Sequence, residues 1–242
     1  MRISVPTFFA LITTIFSLPG VSRSEEGSLQ NQLQAMKEKF ATMAPESKKK
    51  AYAEGIESVA KSGVVGKAVK TGGLAPDFSL KNSLGDAVSL KGALAKGPVV
   101  LMWYRGGWCP YCNLQLRAMQ SILPEIEAAG AQLIALTPEL PDKSLSTREK
   151  NELKFEVLTD IDQKVARAYG LVFKLTPEVA ELYAENFDLK EFNGKEAPRD
   201  ELPLAATYVI GQDGKVAWHF LDADYRKRAE PAEVLAALEG IK

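Results

Sequence analysis

From residue 29 the apolar positions Leu29, Leu33, Met36, Phe40 and Met43 recur at spacings of four and three, the stripe of an amphipathic helix, and the stripe stops at Ala44-Pro45. A second helical stretch follows through Tyr52, Ile56, Val59 and Ala60. Together they predict a helical hairpin over residues 25–71, packed on the surface of its own domain or serving as the arm of a homodimer. Two heptads are too few to require a coiled coil.

At Gly72-Gly73 the pattern changes to short apolar runs alternating with helical stretches, the signature of a βαβ arrangement, so the main domain is expected over residues 72–242. Residues 98–104 (PVVLMWY) form a continuous apolar run suited to a strand buried on both faces, with a helix expected over 115–126 and a strand over 131–136. A short strand over 155–158 leads to a helix over 163–169 that ends at Gly170. A further helix opens at Thr176-Pro177-Glu178, with Thr as its cap and Pro in the first position, and runs into a polar stretch to residue 199 that reads as an insertion between core elements. Residues 207–210 and 216–220 flank Gly211-Gln212-Asp213-Gly214 as a hairpin, and a last helix is expected over 231–238.

Composition adds an ordinary globular chain, 46% hydrophobic and 25% charged over 242 residues. Residues 1–24 read as an export leader: Arg2 begins it, no charge occurs from residue 3 to residue 22, and Ser22 and Ser24 suit cleavage before Glu25. An uncleaved membrane anchor is the alternative, since an uncharged run of 20 residues is about a bilayer's thickness. Either way the folded part is expected outside the cytosol, secreted or periplasmic. Without Arg2 and Arg23 the chain carries 28 Lys and Arg against 31 Asp and Glu, which excludes the basic face that a nucleic-acid partner requires.

The only two cysteines, Cys109 and Cys112, lie three apart, where a disulfide closes too short a loop to stabilise the fold appreciably. They follow the buried strand through Arg105-Gly106-Gly107-Trp108 and precede a helix. Cys109 thus falls at a helix N-terminus, where free N–H groups and the helix dipole favour a thiolate, and Cys112 lies one turn on. On this reading Cys109 is the more acidic and more accessible thiol. The pair could instead be half a zinc site or two inert core cysteines, but a single distant His219 leaves zinc short of its four ligands. His219 and Trp218 read as packing or edge residues. Tyr111 either lines a substrate groove or covers the disulfide.

Residues 73–238 resemble the peroxiredoxin and alkyl-hydroperoxide-reductase (AhpC/TSA, redoxin) branch of the thioredoxin fold. Gly73-Leu74-Ala75-Pro76-Asp77-Phe78-Ser79-Leu80 is similar to the family's opening strand, Phe155-Glu156-Val157-Leu158-Thr159-Asp160 to a later strand and turn, and Ala206-Thr207-Tyr208-Val209-Ile210 with Asp213-Gly214 to its closing hairpin. The resemblance implies an α/β thioredoxin-like fold, a central mixed sheet flanked by helices, here with the N-terminal helical extension. It implies a hydroperoxide substrate and a thioredoxin-like dithiol protein as reductant, with no cofactor and no metal.

The family's P-x-x-x-T-x-x-C pattern falls on Arg105, Cys109 and Cys112, so Cys112 takes the peroxide-reacting place, whereas Trp108-Cys109-Pro110-Tyr111-Cys112 also resembles the WCxxC of thioredoxin-like reductases, whose first cysteine attacks. Ala205 and Ala206 stand where relatives carry a proline or an arginine before the closing hairpin. A peroxide-polarising arginine must therefore come from elsewhere; Arg105 is the candidate, or else it is a solvated loop residue. Three functions follow: a thiol peroxidase cycling Cys109 and Cys112 between dithiol and disulfide, a thiol-disulfide oxidoreductase acting on proteins, and a redox-inactive binding domain.

Overall fold

The computed structural model describes residues 27–241; the expected leader lies outside them. The chain begins with α1 (Leu29–Met43), α2 (Glu46–Lys61) and the short α3 (Val64–Lys67), followed by β1 (Ser79–Asn82), β2 (Ala87–Ser89), α4 (Leu90–Leu94) and β3 (Val99–Trp103). Next come α5 (Pro110–Ser121), α6 (Leu123–Ala128), β4 (Gln132–Thr137), α7 (Pro141–Lys150), β5 (Glu156–Thr159), α8 (Lys164–Ala168) and β6 (Val172–Lys174). Last are α9 (Pro177–Asn186), α10 (Leu189–Asn193), β7 (Glu201–Pro203), β8 (Thr207–Ile210), β9 (Val216–Phe220) and α11 (Pro231–Glu239).

Seven strands form one mixed sheet in the order β2-β1-β5-β4-β3-β8-β9; β3, β4 and β5 run parallel, and the other pairings are antiparallel. Every residue of β3 is buried, and alternation along the strand divides them between two cores. Val99, Leu101 and Trp103 face α2, α4, α8 and α9, whereas Val100 and Met102 face α1, α5, α6 and α11. Helices on both faces explain why residues 98–104 read as unbroken hydrophobicity.

The helical extension packs on its own domain: Leu29 and Leu33 join the core beneath α5, and Phe40 meets Tyr52 edge to face. The single helix expected over 115–126 is two. α5 starts five residues earlier, at Pro110, and ends where Pro124 forces a break before α6. The expected opening strand over 73–80 is mostly extended coil, with Leu74 bridged to Lys215 and the strand proper starting only at Ser79. α7 lacked a sequence signal because its buried face is polar, Ser144 and Thr147. The small sheet of β6 and β7 was equally silent, its strands being three residues each.

Candidate active site

β3 delivers the chain into the site. Tyr104 still donates its N–H to the Leu136 carbonyl of β4 at 3.0 Å, after which Arg105 to Trp108 leave the sheet. Cys109 is the N-cap of α5, in an extended conformation (φ −86°, ψ 113°), with Pro110 in the first turn. Gly107 is required by packing, because a Cβ there would fall 2.0 Å from the Thr147 hydroxyl oxygen on α7. Gly107→Ala is expected to destabilise the fold by about 1–3 kcal/mol. Adding Thr147→Ala removes the closest atom and should restore part of the loss in a thermal melt; an unshifted melt for Gly107→Ala would show that the loop yields freely.

Polar side chains pin the same loop. The Gly107 N–H donates to Glu139 Oε1 at 2.8 Å, and Asn113 Nδ2 donates to the Gly107 and Cys109 carbonyls at 2.8 and 3.0 Å. Asn151 in turn donates to Asn113 Oδ1 at 2.8 Å and accepts from Arg117 at 2.8 Å. The cysteines are thus held on a rigid first turn, as a precisely placed sulfur requires.

Both sulfurs are reduced and buried, and two buried guanidiniums converge on them. Arg228, from the segment just before α11, donates from Nη2 to Cys112 Sγ at 3.3 Å and from Nη1 to the Lys227 carbonyl at 2.8 Å. Its own carbonyl accepts from Gln30 of α1 at 3.0 Å, so the N-terminal extension braces it. Arg105 Nη1 lies 4.0 Å from Cys109 Sγ. Its guanidinium sits 4.2 Å from the Tyr225 ring centre, 5.0 Å from Trp108 and 5.6 Å from Tyr183, and it donates to the Tyr183 hydroxyl. Trp108 stacks on Phe187 at 4.6 Å, and Tyr111 meets Tyr225 edge to face at 5.7 Å. Beyond Arg105 lies a small cavity of about 20 Å³, lined by Ile56, Val59, Phe173, Val179 and the tyrosines Tyr52 and Tyr225.

These surroundings reverse the expected order of the two thiols. Burial works to raise Cys112, but a hydrogen bond from Cys109 and the charges of Arg228 and Arg105 outweigh it and hold Cys112 well below the usual thiol value. Burial pushes Cys109 well up, and the proton it shares toward Cys112 raises it further. Cys109 is not the more acidic thiol, and both sulfurs are buried; the helix N-terminus is outweighed by burial of Cys109, by the hydrogen bond it gives Cys112 and by the Arg228 guanidinium on Cys112. Arg105 is not a solvated loop residue either, being 1% exposed. The tyrosines and cysteines around it favour its charge against the cost of burial.

Residues 71–219 match the model of the AhpC/TSA family. The chain belongs to the AhpC/TSA family. A Helicobacter pylori relative named as a bcp peroxiredoxin is 35% identical over 101 residues, covering 42% of this chain and 66% of that protein. Peroxiredoxin Bcp of Escherichia coli is 28% identical over 103 residues, 43% of this chain and 65% of that one. The matched region is thus about two thirds of these relatives' length. Among solved structures, Peroxidoxin BcpB from Mycobacterium tuberculosis superposes with a TM-score of 0.56 at 22% identity, covering 72% of this chain and 99% of that chain. Xanthomonas campestris Peroxiredoxin Q does so at 0.51 and 19%, covering 67% and 90%. These likenesses fix the thioredoxin-type AhpC/TSA fold, a mixed central sheet flanked by helices.

Of the residues singled out by sequence, Cys109, Cys112 and Arg105 are brought together here, while His219 lies away on β9 with its Nδ1 accepting from the Thr71 N–H at 3.1 Å. Arg228, Glu139, Tyr183 and Tyr225 were missed. Arg228 sits in a run of charges, residues 222–230, that has the pattern of a solvated loop, and nothing in the sequence distinguishes it from its paired neighbours Arg226 and Lys227.

Proposed function

We propose that this chain is a thiol-dependent peroxidase in which Cys112 attacks and Cys109 resolves. The observation that carries the reading is the Arg228 contact to Cys112 Sγ at 3.3 Å, which supports a thiolate at the family's peroxide-reacting position. The Cys112 thiolate attacks the terminal oxygen of a hydroperoxide; the O–O bond breaks, Cys112 becomes a sulfenic acid and an alkoxide leaves, taking up a proton to form an alcohol. Arg228 and Arg105 lie where their N–H groups can stabilise the negative charge passing from sulfur to oxygen. Cys109, holding its proton until then, condenses with the sulfenic acid, releasing water and forming the disulfide. A thioredoxin-like dithiol protein is the reductant that returns the pair to dithiol.

The rival reading, a reductase of protein disulfides, needs an acidic first cysteine, and the Cys109 thiol is raised. The deciding experiment compares hydroperoxide consumption with insulin-disulfide reduction by the purified chain; disulfide reduction without peroxide consumption would reverse the assignment. The pH dependence follows from the Cys112 shift. Because its thiol is depressed, the thiolate persists as pH falls below the usual thiol range, and the rate of oxidation is lost only as pH falls through the depressed value. A stopped-flow rate that is level near neutrality and falls only in acid is expected, whereas a rate that climbs through pH 8–9, about the ordinary thiol pKa, would contradict it.

A further inference from the structure

Two fully buried guanidiniums, Arg105 and Arg228, have no carboxylate partner among the described residues; the charged group they converge on is the sulfur of the cysteine pair. One fully buried carboxylate, Glu139, has no cation within ion-pair distance among the described residues. It touches the cysteine loop directly: Oε1 accepts the Gly107 N–H at 2.8 Å and Oε2 accepts the Thr147 hydroxyl at 3.4 Å. The ionisable groups facing it are Tyr104 from the end of β3, Cys112 from α5 and Lys143 from α7, the last paired at 2.9 Å with Glu191.

Oxidation of Cys112 removes the negative charge that balances the two guanidiniums, and in a medium of low dielectric a buried charge without a counter-charge is strongly disfavoured. We propose that Glu139 is the charge-compensating proton store of the cysteine pair, protonated while Cys112 is a thiolate and ionised once Cys112 is oxidised. This rests on the peroxidase reading and deepens it.

Cys112–S⁻, hydroperoxide and the Glu139 carboxylic acid give Cys112–S–OH, alcohol and the Glu139 carboxylate: the O–O bond breaks, an S–O bond forms, sulfur is oxidised, the peroxide oxygen is reduced, and the proton of Glu139 balances the alkoxide. One negative charge is present on each side. Cys109–SH and Cys112–S–OH then give the disulfide and water, and the dithiol reductant later returns two electrons. On reduction one proton goes to Cys109 and one to Glu139, leaving Cys112 as thiolate. Burial already raises Glu139 above the usual carboxyl value, and the nearby Cys112 charge adds to this.

The test is the disulfide reduction potential of the full chain, measured against dithiothreitol from pH 6 to 8, with Glu139→Gln as the comparison. The amide keeps an oxygen for the Gly107 N–H and a similar volume. Each proton taken up per two electrons contributes tenfold per pH unit, about 30 mV. The expected slope is two protons in the natural chain, about 59 mV per pH unit, and one proton in Glu139→Gln, half that. Difference infrared spectra of the natural chain supply a readout independent of the variant's folding: reduction should produce a protonated-carboxyl stretch. Equal slopes, or no carboxyl signal, overturn this inference alone. A chain that forms no Cys109–Cys112 disulfide overturns it together with the peroxidase reading.

Discussion

Cys112→Ser is expected to lose hydroperoxide reduction by some 10⁴- to 10⁶-fold, the scale on which removing an enzyme's nucleophile acts, while Cys109→Ser keeps the first oxidation and loses only turnover. The asymmetry follows from the two environments. Cys112 has the Arg228 guanidinium at 3.3 Å and a thiol held well down, whereas Cys109 is buried, raised, and 4.0 Å from Arg105 Nη1. A serine hydroxyl at 112 cannot ionise near neutrality, so neither arginine has an anion to stabilise. At 109 a serine removes the thiol that condenses with the sulfenic acid, and the sulfenic form should accumulate after one equivalent of peroxide. Trapping with a dimedone-type reagent and mass spectrometry should locate it on Cys112. The natural chain should instead give an intramolecular disulfide and run as a monomer on non-reducing gels. A sulfenic acid trapped on Cys109 in Cys112→Ser at the natural rate would invert the assignment.

How far the sequence could be read depended on the range of the interactions. The run at residues 98–104, the Thr176 cap and the Gly211–Gly214 turn are local signals, and β3, α9 and the β8–β9 hairpin follow from them. The nearness of Cys109 and Cys112 was equally local. Their relative acidity was not, since it depends on an arginine 116 positions away that packing brings to Cys112 Sγ. Local reasoning weighed the helix N-terminus and Arg105 and so favoured Cys109 as the more acidic thiol, whereas the Arg228 contact lowers Cys112. The polar stretch after Thr176 looked like an insertion for the same reason. Its Tyr183 and Phe187 acquire a role only when α9 folds back to close the cage around Arg105 and Trp108.

The two arginines should separate in their effects. Arg228→Ala is expected to slow peroxide oxidation of Cys112 by about 10²- to 10³-fold near neutrality, the cost of removing one preorganised donor to developing charge, because the variant both raises the thiol and removes an N–H aimed at the reacting sulfur. Raising the pH should recover the part that comes from thiol ionisation and leave the remainder, which belongs to the transition state. Arg228→Lys should fall between, since an ammonium retains the charge but cannot donate to Cys112 Sγ and the Lys227 carbonyl with the same fixed fork. Arg105→Ala should show a different balance. It empties a cage of three aromatic rings and strands the buried Tyr183 hydroxyl, so a stability loss of about 2–4 kcal/mol should accompany a smaller effect on rate. Stopped-flow oxidation rates across pH, with thermal melts of all three variants, measure both quantities. Equal rate losses for Arg105→Ala and Arg228→Ala, or a natural rate in Arg228→Ala, would show that the 3.3 Å contact does not select the reacting sulfur.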